Sequence, residues 1–315
     1  MKTVIGLDIG GTNVRMGLVR DGVLERGEAY ATHETLTGGD EIALLGGMIH
    51  DFRGGEAVDA VSIGFPSSIG ADGKTVLNPP NIVKGDGSRA FMGVNVADPL
   101  AQILGVKVLV NKDANHLLRF DAHSAASEAR GAEAGAKGEA KEAGAKAAMA
   151  GTLVGCYIGT GFGSAVMVGG QFLRGKNGSA VETGHIPFFG GDRLCGCGKT
   201  GCAECYASGR AAKEILDSQY PGLTFDDMFA RHSQDEPVAA LIKAIAVTVA
   251  ALVNIFDPHM LFLGGGVLSA AFPRDALTAA VLRHTMAPYP REGLDIRFSQ
   301  HDSYSGVIGA ALSAE

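Results

Sequence analysis

The 315-residue sequence has no block of Lys or Arg dense enough to follow a nucleic-acid backbone, and its formal net charge is −7. Nucleic acid is therefore not expected as a partner, because affinity for phosphate backbones rests on clustered cations. No secretory leader is expected either, since Asp8 interrupts the apolar run after Met1 too early. No membrane-length apolar stretch stands out downstream, so no membrane association is expected and the cytoplasm is the default compartment. The Walker motif Gly-x4-Gly-Lys-Ser/Thr is missing, and Gly-x-Gly-x-x-Gly does not follow the first apolar strand. Neither the P-loop nor the dinucleotide fingerprint is available to this chain. Large apolar residues are nearly absent from 124–150, where Ala, Gly, Glu and Lys dominate. Glu133/Lys137 and Glu142/Lys146 support a helix at i,i+4 spacing, while each glycine costs about 1 kcal/mol against Ala. That stretch reads as a frayed, solvated insertion.

What is present is an ordinary globular composition, 46% hydrophobic, in a chain long enough for two domains. It carries an imperfect internal repeat. Residues 3–12, Thr-Val-Ile-Gly-Leu-Asp-Ile-Gly-Gly-Thr, align with residues 152–161, Thr-Leu-Val-Gly-Cys-Tyr-Ile-Gly-Thr-Gly. Each copy continues into a second strand, a turn at Asp21-Gly22 or Gly169-Gly170, and a third short strand. Further strands are expected at 57–64, 106–110 and 260–263, with a long helix over 237–256 ended by Asp257-Pro258. The alternation is α/β. Two similar lobes are expected to face a cleft, with a glycine turn on each wall suited to a ligand with several phosphates.

Backbone amides in glycine loops approach phosphate oxygens closely, and Thr12 and Thr160 add hydroxyl donors. Gly10-Gly11-Thr12 is weak evidence alone, but Gly159-Thr160-Gly161-Phe162-Gly163 repeats it and Gly264-Gly265-Gly266 follows a third strand. Asp8 is suited to holding Mg²⁺ through water. Asp113, in Asn111-Lys112-Asp113-Ala114-Asn115, stands where a strand gives way to a helix. An acid there either caps the helix or points into a cleft, and the two roles can coexist.

The densest signal is His185-x9-Cys195-Gly-Cys197-x4-Cys202. Thiolates and an imidazole suit Zn²⁺, four ligands complete a tetrahedron, and Gly196, Gly198 and Gly201 let the backbone bend around one ion. Reduced thiols gathered by chance, or a disulfide plus a spare thiol, are the alternatives. Cys205 fits the spacing less well, and Cys156 reads as a small buried hydrophobe. Glu182 and Glu204 flank the cluster, which a purely structural metal loop does not need.

Together these motifs, with Glu182-x-x-His185 and Leu263-Gly264-Gly265-Gly266-Val267, resemble the sugar-kinase branch of the ROK family (repressors, open reading frames, kinases) over nearly the whole chain. The resemblance implies a two-lobed, actin-like (ribonuclease H-like) ATPase fold with a structural zinc loop. It implies a small lobe of 1–111 joined by a C-terminal helix in 301–315, and a large lobe of 112–300 holding the zinc loop (182–204) and the insertion (124–150). ATP and Mg²⁺ would be bound by Gly6, Asp8, Gly10, Gly11, Thr12, Asn13, 159–163 and 264–266. The sugar would meet Asn81, Lys112, Asp113, Glu182, His185 and Glu204, with Asp113 as general base. Zn²⁺ would be structural on His185, Cys195, Cys197 and Cys202. Glucokinase-like members commonly carry Asn where Lys112 stands; D-allose kinases carry a basic residue there, and further similarity to them lies in Gly64-Phe65-Pro66 and Asn78-Pro79-Pro80-Asn81. D-Allose is accordingly the expected acceptor, with glucose or an N-acylhexosamine as alternatives. A sugar-responsive repressor of the same family is disfavoured, because the first phosphate strand begins at Thr3 and no basic recognition segment precedes it. A homodimer is left open.

Overall fold

The computed structural model describes residues 2–132 and 150–314. These fall into two compact units, one drawn from Met1–Ser124, Arg174–Ala180 and Asp302–Glu315, the other from Ala125–Leu173 and Val181–His301. Most of the expected insertion, residues 133–149, lies outside the described residues.

The first unit is built on a five-stranded sheet of order β3-β2-β1-β4-β7, from β1 (Thr3–Ile9), β2 (Asn13–Arg20), β3 (Val23–Ala31), β4 (Ala60–Phe65) and β7 (Lys107–Lys112). A separate two-stranded ribbon joins β5 (Thr75–Val76) to β6 (Val94–Asn95). The hairpin β1-β2 is antiparallel, whereas β1, β4 and β7 run parallel. Asp21 and Gly22 both take positive φ, 45° and 78°, which is the handedness a two-residue turn needs to match strand twist. Glu25, Arg26 and Glu28 keep edge strand β3 polar. Three helices occupy the crossovers: α1 (Thr32–Thr35), α2 (Glu41–Arg53) and α3 (Ala97–Leu104). Asp40 caps α2 by accepting from the Ile42 and Ala43 amides, and Gly54 at φ 59° ends it. The core gathers Ile5, Leu7, Ile9, Ile49, Ile63 and Phe65. α4 (Asp113–Ala132) then begins directly from β7.

The second unit repeats the plan. Its sheet has order β10-β9-β8-β11-β12, from β8 (Thr152–Ile158), β9 (Phe162–Val168), β10 (Gln171–Phe172), β11 (Met260–Gly264) and β12 (Asp295–Phe298). Again the first hairpin is antiparallel and β8, β11 and β12 are parallel. Four helices follow the hairpin: α5 (Gly209–Gln219), α6 (Phe225–His232), α7 (Glu236–Phe256) and α8 (Arg274–His284). Ser208 caps α5, and Thr224 with Asp227 forms a reciprocal capping box on α6.

One expectation needs correction here. A membrane-length apolar helix does exist, since α7 is 21 residues long and largely apolar; its Leu241, Ile245, Val249 and Leu252 are buried in the core of the second unit. The division into units keeps Lys112–Ser124 with the first unit and His301 with the second. The reason is close packing by the C-terminal helix, Ser305–Leu312. A Cβ on Gly309 would stand 1.9 Å from the His116 carbonyl oxygen, and one on Gly6 would stand 2.1 Å from that of Val307. Glycine at these points lets helix backbone touch both β1 and the start of α4.

Candidate active site

In the first unit the register Asp8↔Gly64↔Asn111 aligns the C-terminal ends of three parallel strands. With strands about 4.8 Å apart, Asp8 and Asn111 stand on one edge roughly 10 Å from each other, where ligands of parallel α/β sheets gather. The turn after β1 is held from two sides. The Gly10 amide donates to Asn13 O (2.8 Å), the Thr32 hydroxyl to Gly10 O (2.8 Å), and the Thr32 amide to Thr12 O (2.9 Å). Gly11 admits no side chain, because a Cβ would lie 2.8 Å from Asn81 Cβ and 2.9 Å from Asn81 O. Gly10, Gly11, Thr12, Asn13 and Asn81 are thus brought together. Burial raises the pKa of Asp8, and the Arg15 guanidinium opposes it. Gly6, expected in the nucleotide set, is buried in mid-strand, and the space of its missing side chain is taken by Val307 of the C-terminal helix.

Asp113 is the first residue of α4, and the side chains around it brace the junction. Asn111 Oδ1 accepts from the Lys112 amide (3.0 Å) and from Asn115 Nδ2 (2.7 Å), while Asp113 Oδ1 accepts from the Ala114 amide (2.6 Å). Lys112 pairs in register with Phe65. Beneath them Gly64 leaves room for α4: its Cβ would stand 2.8 Å from His116 Nδ1 and 3.5 Å from Asp113 Cα. His116 is buried, and burial, with help from Arg119, pushes its pKa down to about 3. Sequence reasoning passed over His116. Its one signal was the spacing of three from Asp113, which puts both on one helix face.

In the second unit the turn 159–161 joins β8 to β9, which opens with Phe162 and Gly163. A Cβ on Gly161 would lie 3.0 Å from Glu204 Oε2, and one on Gly184 would lie 2.9 Å from Phe162 O and 3.3 Å from Glu204 Cβ. Gly161, Phe162 and Glu204 therefore meet the short 3-10 turns Thr183–His185 and Ala203–Cys205. Thr160 is exposed, and Glu182, Gly159 and Gly163 are half-buried. The Gly209 amide at the head of α5 donates to Gly159 O (2.8 Å), and the Arg210 amide to Thr160 O (3.1 Å). Gly209 was not singled out from sequence, although a Cβ there would strike Gly159 O at 2.4 Å. The three consecutive glycines after β11 divide their roles. Gly264 packs on Ser299 and Tyr157; Gly265, at φ 98°, lies against the Ile158 backbone; Gly266 faces open space.

The side-chain donors of His185, Cys195, Cys197 and Cys202 all lie within 4.8 Å of one another. Cys195 Sγ is 3.7 Å from His185 Nδ1, and Cys197 Sγ is 3.6 Å from Cys202 Sγ. Ligands about 2.3 Å from a tetrahedral Zn²⁺ stand about 3.8 Å apart, so the donor set fits that ion. A tight turn makes this arrangement: the Cys195 amide donates to Lys199 O, the Gly198 amide to Cys195 O, and Gly198 and Gly201 take φ 88° and 76°. Burial raises the Cys195 and Cys202 thiols. For Cys197 burial acts the same way but is outweighed by the Lys199 amide and neighbouring thiols, and its pKa falls. Three thiolates drawn to one point need a cation. Glu204 Oε1 lies 3.1 Å from Cys195 Sγ and 3.7 Å from His185 Nδ1, tying the flanking acid to the cluster. Tyr206 stacks on Phe188 at 5.1 Å and accepts from the Asp192 and Arg193 amides, bracing the loop from behind.

A family model described as the ROK family matches residues 4–315. The chain belongs to the ROK family. It is 30% identical over 333 residues to an N-acetyl-D-glucosamine kinase of Vibrio cholerae, covering 98% of each chain. A glucokinase of Thermotoga maritima is 29% identical over 295 residues, covering 85% of this chain and 83% of that one. Among solved structures, a ROK glucokinase of Streptomyces griseus in complex with glucose and AMPPNP superposes with a TM-score of 0.73 at 25% identity, covering 98% of both chains. The actin-like α/β fold expected from sequence agrees with this ROK likeness and with the duplicated sheets.

Proposed function

We propose that this ROK protein transfers the γ-phosphoryl group of ATP to a hydroxyl of D-allose, giving D-allose 6-phosphate, with Asp113 as general base. The coarser statement, that the chain is an ATP-dependent sugar kinase, rests on its full-length similarity to proteins named glucokinase and N-acetyl-D-glucosamine kinase. One observation carries the chemistry: Asp8, the 10–13 turn and Asp113 lie at the C-terminal ends of the parallel strands β1, β4 and β7 of one sheet.

In this reading the Asp113 carboxylate orients the acceptor hydroxyl and takes its proton as the oxygen attacks phosphorus and the bond to the departing ADP breaks. Such transfers ask mainly for positioning and charge stabilisation. The amides of Gly10, Gly11 and Thr12 and of 159–163, with the Thr12 and Thr160 hydroxyls, donate to phosphate oxygens, and Gly266 leaves its side of the third loop clear for nucleotide. Asp8 suits Mg²⁺ held through water, a cation that neutralises charge on phosphate oxygens, because one carboxylate plus substrate phosphates is an ordinary donor set for it. His185, Cys195, Cys197 and Cys202 would hold Zn²⁺ with four protein donors, and its part would then be structural. With Nδ1 turned to the cluster, His185 keeps Nε2 for a sugar hydroxyl, and a bound metal would fix the ring's tautomer and angle. Glu182 and Glu204 accept from hydroxyls with charge-assisted bonds, and Asn81 offers both donor and acceptor.

Lys112 supports allose. It only donates, so the hydroxyl pattern it reads differs from one read by Asn at that position. Glucose or N-acetyl-D-glucosamine is the second reading, favoured by the names of the relatives. A panel of hexoses with ATP and Mg²⁺, compared by kcat/KM, tests both. Allose should lead. A preference for glucose or N-acetyl-D-glucosamine would overturn the reading of Lys112, and no phosphorylation of any hexose would overturn the kinase.

A further inference from the structure

We propose that Glu41 and Lys84 form a latch that fixes the loop 77–90, and with it Asn81, so that two residues outside the reacting groups set affinity for the acceptor sugar. The inference rests on Asn81 meeting the sugar. Glu41 opens α2, and its side chain is only 14% exposed. Both of its carboxylate oxygens are used: Oε2 receives Lys84 Nζ at 2.8 Å, and Oε1 receives the Phe91 amide at 3.0 Å. Those donors belong to the two arms of a small hairpin, Lys84 on the first and Phe91 just past the second. The Lys84 amide donates to Ser88 O, the Ala90 amide to Ile82 O, and Val83 bridges to Arg89. One carboxylate therefore ties both arms of the hairpin together while residues 85–88 stay exposed.

The hairpin in turn holds the segment that carries Asn81. Arg89 Nη1 donates to Asn78 Oδ1, the Asn78 amide donates to Ser67 Oγ, and Asn81 seats on Gly11. Phe91 adds the mark of a held conformation. It is a bulky buried residue at φ 64°, a left-handed backbone that persists only where its surroundings impose it. Its amide is the one Glu41 captures, and its ring packs edge-on against Phe65 at 5.2 Å, beside Lys112 in the sheet. A half-buried ion pair of this kind is a poor source of stability and a good source of a defined geometry. Nucleotide affinity should be spared because Thr32, not the hairpin, anchors the backbone of the phosphate turn through Gly10 O and Thr12 O.

The test measures KM for ATP and for the hexose with the highest kcat/KM in the panel, on wild type, Glu41→Ala, Glu41→Gln, Lys84→Met and the double variant Glu41→Ala/Lys84→Met. Glu41→Ala should raise the sugar KM about tenfold and leave the ATP KM within about twofold, as expected for loss of preorganisation at one substrate. Lys84→Met should act in the same direction, and the double variant should be no worse than Glu41→Ala, because both remove one clamp. Glu41→Gln keeps an acceptor for the Phe91 amide and should fall between, so it and Lys84→Met carry the test if Glu41→Ala does not fold. Amide exchange across 82–91, measured without substrate, should quicken in Glu41→Ala. Equal rises in both KM values, an unchanged sugar KM in the folded variants, or unchanged exchange would overturn the latch. If wild type phosphorylates no hexose, the kinase reading fails, and the exchange measurement still decides whether the clamp exists.

Discussion

Lowering the pH from 7 to 4 should cost the first unit about 3 kcal/mol through His116 alone, at about 1.4 kcal/mol per unit of differential protonation. The ring is 1% exposed and has no hydrogen-bond partner at Nδ1 or Nε2 among the described residues. Desolvation first, and the positive charge of Arg119 second, push its pKa from 6.5 to about 3. The sign follows from proton counting. Above the unfolded value neither state binds the proton and nothing is lost; below it the unfolded chain protonates while the folded one does not, so stability falls as pH falls and the loss is complete near pH 3. Over the whole interval the penalty is about 5 kcal/mol, a large share of an ordinary stability. His116→Leu, of similar volume and without ring nitrogens, removes the term. Urea unfolding followed by circular dichroism should find the variant gaining on wild type by about 3 kcal/mol between pH 7 and 4. Proton NMR of the His116 ring should show no titration over that range. A ring that titrates near 6.5, or an identical pH slope in both proteins, would refute the reasoning. The consequence for catalysis is that no cation forms one turn from Asp113 at working pH.

Three further outcomes are expected. Asp113→Asn should keep zinc and ATP binding but lower kcat by about 10²- to 10⁴-fold, the usual worth of a positioned base; near-normal turnover would remove Asp113 from that role. Stripping the metal with a chelator should lower thermal stability and raise the sugar KM before ATP affinity changes, checked by metal analysis with ATP calorimetry; intact sugar affinity in zinc-free protein would contradict the bracing of His185 and Glu204. Gly6→Ala should destabilise by about 2 kcal/mol or more, because its Cβ would stand 2.1 Å from a backbone oxygen that cannot rotate away. Whatever enzyme survives should bind ATP normally, whereas a selective rise in ATP KM would restore Gly6 to the nucleotide site.

Much of the candidate site is local, and local features are legible in a chain. His185, Cys195, Cys197 and Cys202 lie within eighteen residues, so spacing and glycine placement nearly dictate that their donors converge. The repeat of 3–12 at 152–161 likewise announces two sheets of one plan, because strand pairing through a tight hairpin is decided by the turn and the strand pattern. Residues whose meaning depends on distant neighbours are another matter. Gly6 looks like part of a glycine-rich turn until the C-terminal helix is seen against it, and Gly11 looks like simple flexibility until Asn81 is found filling its space. The length and apolarity of α7 pass for a membrane helix until burial assigns it to a core.

By itself, then, the sequence determined the α/β class, the duplicated strand order, the zinc-type donor set and the position of Asp113 at a strand-to-helix junction, all set by periodicity, spacing and turn chemistry over short stretches. Tertiary structure alone decided which glycines leave room for packing and which face open space, which unit claims Asp113, why burial disfavours the charged form of His116, and that Glu41 and Lys84 hold the Asn81 loop. Those depend on contacts between residues far apart in the chain, where burial and desolvation change what a side chain does without changing what it is.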